Sequence, residues 1–263
     1  MEEKKTFKIV ASKKTRYILP NILTLVGVCL GISSIKFSLD QNYSLAVIFI
    51  LLAALLDALD GRIARLIKGT SEFGKELDSL TDFVSFGIAP VFVLYFWELN
   101  KYGKLGWAIT LVYSVCCVLR LARFNLTKIE ETQDWKNNFF EGIPSPAGGL
   151  LILMPLIYEL ANINLVIDVK NITPYLTVLV AILLVSKIPT LALKKISISP
   201  KMTVFLLLAI GIIFIALLFY TLETLLVFGF IYVLSIPISI FIYKRQNKKD
   251  LKKISDEDHE DIL

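Results

Sequence analysis

Histidine occurs once in the 263 residues, as His259 in the polar C-terminal string SDEDHEDIL. A His-based triad and a His-ligated zinc site therefore have nothing to stand on. Cysteine is nearly as scarce. Cys29, Cys116 and Cys117 form no CxxC pair, lie in or beside apolar runs, and read as small buried hydrophobes. Charge is low as well, at 19% of residues against about a quarter in an ordinary soluble domain. Apolar residues fill the gap: 56% are hydrophobic and the mean hydropathy is +0.68. Any chemistry must run on carboxylates, lysines, arginines, hydroxyls or a carboxylate-bound metal.

The apolar residues come in blocks, which predicts an all-α polytopic membrane helix bundle. Eight transmembrane helices are expected, at 18–38, 43–60, 82–99, 104–121, 145–163, 172–193, 202–219 and 222–243. Most are near the ~20 residues that cross a bilayer. The first is expected to be retained rather than cleaved as a signal peptide, because its apolar run is long and no small-residue cleavage site ends it. Basic residues concentrate in alternate loops: Lys4 to Arg16, Arg62 to Lys75, Arg120 to Lys136, Lys194 to Lys201, and YKRQNKKDLKK after the last span. The other loops hold only Lys36, Lys101, Lys104 and Lys170. The positive-inside rule then places both termini and the 57–82 stretch in the cytoplasm. The chain divides into a basic N-terminal segment (1–16), a membrane domain (17–243) and a charged cytoplasmic tail (244–263), whose end SDEDHEDIL is expected to be solvated and disordered. The net charge of +5 is explained by topology and contact with anionic membrane lipid, with no nucleic acid needed.

One stretch breaks the apolar pattern: DALDGRIARLIKGTSEFGKELDSLTD, residues 57–82. Continued as helix from the second span, Asp57, Asp60, Gly61, Ala64 and Arg65 share a face. Gly74, Asp78 and Asp82 share another, leading into the third span. Gly69, Thr70 and Ser71 can turn the chain between them, so two antiparallel helices bring four carboxylates together. Oxygen ligands of this kind suit Mg²⁺ or Mn²⁺. Four are enough for a pair of ions ~3.5–4 Å apart, the arrangement of in-line phosphoryl displacement. Gly61, Ala64 and Gly74 let a ligand or a helix approach the backbone, and Arg65 offers a fork suited to phosphate. Asp57 or Asp60 alone reads equally well as a loop charge. The set does not, because four acids on two facing helices repel one another unless cations neutralise them.

The spacing D-G-x2-A-R-x8-G-x3-D-x3-D, here Asp60-Gly61, Ala64-Arg65, Gly74, Asp78 and Asp82 with Asp57 ahead of it, resembles the signature of the CDP-alcohol phosphatidyltransferase family. A chance match to these positions is on the order of 10⁻¹⁰ per start site. The resemblance implies a membrane enzyme that displaces CMP from a CDP-linked lipid by a second substrate's hydroxyl, with divalent metal. It implies that Asp57, Asp60, Asp78 and Asp82 hold the ions and that Asp82 is also the base. It implies contacts to the CDP moiety from Gly61, Ala64, Arg65 and Ser71. LPNILT in the first span resembles the family's Pro-Asn-x-x-Thr, which adds Asn21 and Thr24; helix capping explains that stretch equally well. Family members are commonly homodimers.

Outside the signature, RLARFN (120–125), FFEGIPSPAGG (139–149) and SKIPTLALKK (186–195) resemble the serine-using branch of the family in bacteria and archaea. That implies CDP-diacylglycerol and L-serine as substrates, at the cytoplasmic face of the cell (inner) membrane. Arg120, Arg123 and Lys187 are the cations available for the serine carboxylate, with Asn125 beside them. The two arginines read equally as interfacial anchors, and Lys187, placed inside a span, as a snorkelling lysine. Pro144, Ser145 and Pro146 either shape the pocket or end helices, and Gly148 and Gly149 permit close helix packing. A phosphatidylglycerophosphate synthase shares every aspartate, but its acceptor calls for a denser basic cluster. A cation transporter would hold its acids near the midplane on broken or repeated helices. A purely structural membrane protein needs no such signature, and prenyl-transfer enzymes use a DDxxD pattern absent here.

Overall fold

A computed structural model describes residues 18–67, 69, 71–127, 139–163, 168–191 and 203–260. The basic segment 1–16, Thr70, and Lys68, Lys128, Lys136, Lys194, Lys195 and Lys201 lie outside them. Among the described residues, five helical runs are long and apolar enough to cross a membrane: Ile18–Leu39, Tyr43–Leu66, Glu72–Trp97, Lys104–Leu126 and Thr221–Asn247. Apart from one short two-stranded ladder, the described residues thus form a helical bundle with membrane-type helices.

Helices α1 (Ile18–Leu39) and α2 (Tyr43–Leu66) form a hairpin closed by Asn42, whose side chain accepts from the Leu45 N–H and caps α2. After Ser71, which caps the next helix through Gly74 N–H, α3 (Glu72–Asp82) runs through a π-helical turn (Phe83–Ile88) into α4 (Ala89–Trp97). The π turn has a cause in the sequence. Pro90 has no N–H to give the Phe86 carbonyl and its ring crowds that oxygen. Tyr113 of α5 (Lys104–Thr127) supplies the missing donor, its hydroxyl lying 3.0 Å from Phe86 O, and Ser114 donates to Gly87 O at 3.2 Å.

The first four expected spans coincide with helices. The fifth does not form as one: α6 (Ser145–Ile152) and α7 (Met154–Leu160) are separated at Leu153, because Pro155 cannot bond back to Leu151. The sixth ends early. Helix α8 (Val169–Val185) stops at Ser186, and Lys187 lies exposed beyond it rather than inside a span. Strand β2 (Pro189–Leu191) follows and pairs antiparallel with β1 (Phe139–Glu141), Phe140 opposite Thr190. Neither strand was expected from the apolar blocks. Helices α9 (Thr203–Phe219) and α10 (Thr221–Glu260) complete the chain. The end SDEDHEDIL, expected to be disordered, instead continues α10 as helix from Ser255 to Glu260 among the described residues.

The core lies among α2, α4, α5, α6, α7 and α8, on Ile50, Phe86, Leu94, Tyr113, Leu153, Leu156 and Leu184, all at most 1% exposed. Helix α1 crosses the carboxylate-bearing run closely. A Cβ at Gly31 would lie 2.9 Å from Ser85 Oγ, and that hydroxyl donates to Gly27 O at 3.2 Å.

Candidate active site

The two faces of the 57–82 stretch meet as their spacing requires. Asp57 and Asp60 come from α2 and Asp78 from α3, and one carboxylate oxygen of each lies within 4.8 Å of the others. Asp82, one turn further along α3, lies within hydrogen-bonding reach of Asp57 and also faces Asp78. Thr24 of α1 donates to Asp60 Oδ2 at 2.7 Å, which fixes that carboxylate, 4% exposed, on the wall between α1 and α2. Four acids this close, partly withdrawn from water, repel one another. Asp82 Oδ1 is buried and without a hydrogen-bond partner. An all-oxygen donor set with an unpaired buried carboxylate oxygen fits a hard divalent cation, Mg²⁺ or Mn²⁺, and no soft metal.

On one side of the carboxylates is a cleft of about 120 Å³. It is lined by Pro20, Asn21 and Thr24 of α1, Asp60, Gly61 and Ala64 of α2, Gly69 and Ser71 of the turn, and Gly74, Lys75 and Asp78 of α3. Five of the six residues expected at the nucleotide, namely Gly61, Ala64, Ser71, Asn21 and Thr24, share this one cavity. Arg65 is not on its wall; its Nε donates to Gly61 O at 3.0 Å, which places the guanidinium beside the cleft. The two glycines differ. A Cβ at Gly74 would lie 3.1 Å from Ser71 Oγ and 3.2 Å from Asn21 Oδ1, whereas one at Gly61 would meet nothing within 4 Å. Gly74 serves close packing of the turn on α1, and Gly61 leaves the cleft open. Sequence reasoning missed Pro20, Gly69 and Lys75; the signature's unspecified positions hide the last two.

The carboxylates also meet a buried cation. Arg120 of α5, 7% exposed, faces Asp82 and lies over the Phe124 ring, 5.5 Å from its centroid. Its Nη1 donates to Ser145 Oγ at the start of α6, and its Nε is buried without a partner. Tyr232 of α10 also interacts with Arg120. The other expected acceptor residues have different work. Arg123 donates from Nη1 to Val185 O at 2.7 Å and from Nη2 to Ser186 O at 3.0 Å, closing the C-terminal end of α8. Asn125 ties α5 to α3 through Ser79 at 3.0 Å, and Lys187 is exposed. Tyr232 was missed because nothing in its local sequence distinguishes it from the rest of an apolar helix.

A family model described as CDP-alcohol phosphatidyltransferase matches residues 17–185. A CDP-diacylglycerol–serine O-phosphatidyltransferase of Mycobacterium tuberculosis strain H37Rv is 44% identical over 137 residues, 52% of this chain and 48% of that protein. The chain thus spans about half the length of the mycobacterial relatives it matches. A protein of the same name from Helicobacter pylori strain 26695 is 32% identical over 218 residues, covering 83% of this chain and 89% of that one. Another, from Bacillus subtilis strain 168, is 35% identical over 142 residues, 54% and 77% of the two chains.

Proposed function

The chain belongs to the CDP-alcohol phosphatidyltransferase family, and from that premise we propose that it transfers the phosphatidyl group of CDP-diacylglycerol to the hydroxyl of L-serine, releasing CMP and forming phosphatidylserine. The observation that carries this reading is the order of groups across the site. The carboxylates border two different surroundings: Asp60 and Asp78 line an open cleft with Gly61, Ser71 and Lys75, while Asp57 and Asp82 face the buried guanidinium of Arg120. An in-line phosphoryl displacement needs separate places for leaving group and nucleophile, and these two surroundings supply one for each.

CDP occupies the cleft, where Asn21, Thr24, Gly61, Ala64 and Ser71 surround it and Arg65 and Lys75 meet its phosphates. Asp57, Asp60, Asp78 and Asp82 would hold divalent cations, which when bound neutralise the pyrophosphate and the departing CMP. Serine lies on the Arg120 side, its carboxylate on the unpaired Nε and its hydroxyl toward Asp82 Oδ1. An alcohol is a weak nucleophile at neutral pH, so Asp82 takes its proton as the serine oxygen bonds to phosphorus and the pyrophosphate P–O bond breaks. The diacylglycerol tails stay in lipid, with the site at the cytoplasmic face of the cell (inner) membrane. The charge distribution of the loops supports that orientation.

The test is CMP release from CDP-diacylglycerol by the full chain in detergent with Mg²⁺ or Mn²⁺, comparing L-serine, glycerol 3-phosphate and inositol, with Asp82→Asn alongside. Serine-dependent release, lost in the variant, is expected. Release driven by glycerol 3-phosphate would make the chain a phosphatidylglycerophosphate synthase. Its absence with every acceptor would return the acidic cluster to the transporter reading.

A further inference from the structure

Ser145 is fully buried and sits at the first position of α6, yet its hydroxyl caps nothing. Helix termination, one of the two readings open for PSPAGG, does not use it. The hydroxyl lies instead between charged groups of two other helices. Arg120 donates to its Oγ from one side. With that lone pair taken, the hydroxyl proton is directed to Asp82 Oδ2, 3.5 Å away. This contact is long for an O–H···O bond, as hydrogen bonds to catalytic groups often are before substrate closes the site. The second oxygen of Asp82, Oδ1, remains buried and unpaired.

We propose that Ser145 is a positioning residue for the reaction inferred above. By donating to Oδ2 it fixes the rotation of the Asp82 carboxylate, so that Oδ1 is the atom presented to the acceptor hydroxyl. Arg120 orients Ser145 in turn, and its positive charge makes the hydroxyl a better donor. The arrangement has the logic of a catalytic base held by a third group, built here from α3, α6 and α5. It rests on reading Asp82 as the base.

Ser145→Ala is expected to lower kcat roughly 10- to 100-fold, the range for losing one hydrogen bond to a charged group. KM for CDP-diacylglycerol should not change, because Ser145 does not line the nucleotide cleft. Ser145→Thr keeps the hydroxyl and should restore most of kcat. In an Asp82→Asn background Ser145→Ala should cost nothing further, since both changes act through one carboxylate. An activity-independent readout comes from infrared spectra of protein carrying ¹³C-carboxyl aspartate: Ser145→Ala should shift a carboxylate band that Asp82→Asn abolishes. An unchanged kcat and an unshifted band would each overturn the inference. So would a loss that Ser145→Thr fails to restore while KM rises in step, which marks a structural role. If the wild type releases no CMP with any acceptor, the transferase reading falls, and the infrared band alone decides whether Ser145 holds Asp82.

Discussion

Gly61 separates two explanations of a small residue in this signature, helix packing and ligand approach. In Gly61→Ala the added Cβ meets no atom within 4 Å, so no helix has to move. Alanine in a helix interior is favoured over glycine by about 0.5–1 kcal/mol, so thermal stability should stay the same or rise slightly. The methyl group instead enters the cleft. The cleft it narrows is small, about 120 Å³. Overfilling a close-packed site costs about 1–3 kcal/mol, which corresponds to a rise of roughly 5- to 150-fold in KM for CDP-diacylglycerol. KM for serine should not move. The assay is CMP release against CDP-diacylglycerol at saturating serine, paired with thermal unfolding in the same detergent. A lowered unfolding midpoint would mean that the glycine serves packing after all. An unchanged KM would mean that this cleft does not hold the nucleotide.

Two further substitutions test the other half of the site. Arg123→Gln removes two bonds to the end of α8 and should cost about 1–3 kcal/mol of stability with KM for serine unchanged; Arg120→Gln should raise KM for serine at least about tenfold, and a serine titration giving the reverse pattern would exchange their roles. Gly142, at φ 72 with the carbonyls of Ser186 and Leu184 2.8 and 2.9 Å from where a Cβ would sit, should tolerate no side chain. Gly142→Ala is expected to lower stability by more than about 1 kcal/mol, and an unaltered unfolding midpoint would show that the β1–β2 junction yields freely.

The carboxylates were legible because their spacing is a local property: i, i+3, i+4 and i+8 relations on two helices determine which side chains share a face. Thr24 and Asn21 were legible only by resemblance, since the bond from Thr24 to Asp60 joins residues 36 apart in sequence. The acceptor side was less readable for the same reason. Arg120, Arg123 and Lys187 look alike as cations at span ends, and what sorts them is tertiary: a serine hydroxyl for one, two helix-end carbonyls for another, solvent for the third. Pro155 carried a local signal for the break between α6 and α7, but a hydropathy window averages over it. The π turn at Pro90 needed knowledge of what fills the vacated bond, and Tyr113 lies in another span.

Because β1 pairs, among the described residues, with β2 alone, the site is completed in stages as the chain is made. The spans carrying Asp57 through Asp82 leave the ribosome first, followed by Arg120. Strand β1, which leads directly into Ser145, has nothing to pair with until Leu191 has been synthesised. At ~5–20 residues per second the two events are separated by on the order of ten seconds. A nascent chain therefore has the helices that carry Asp57 to Asp82 in the membrane before the strand pairing next to Ser145 can form.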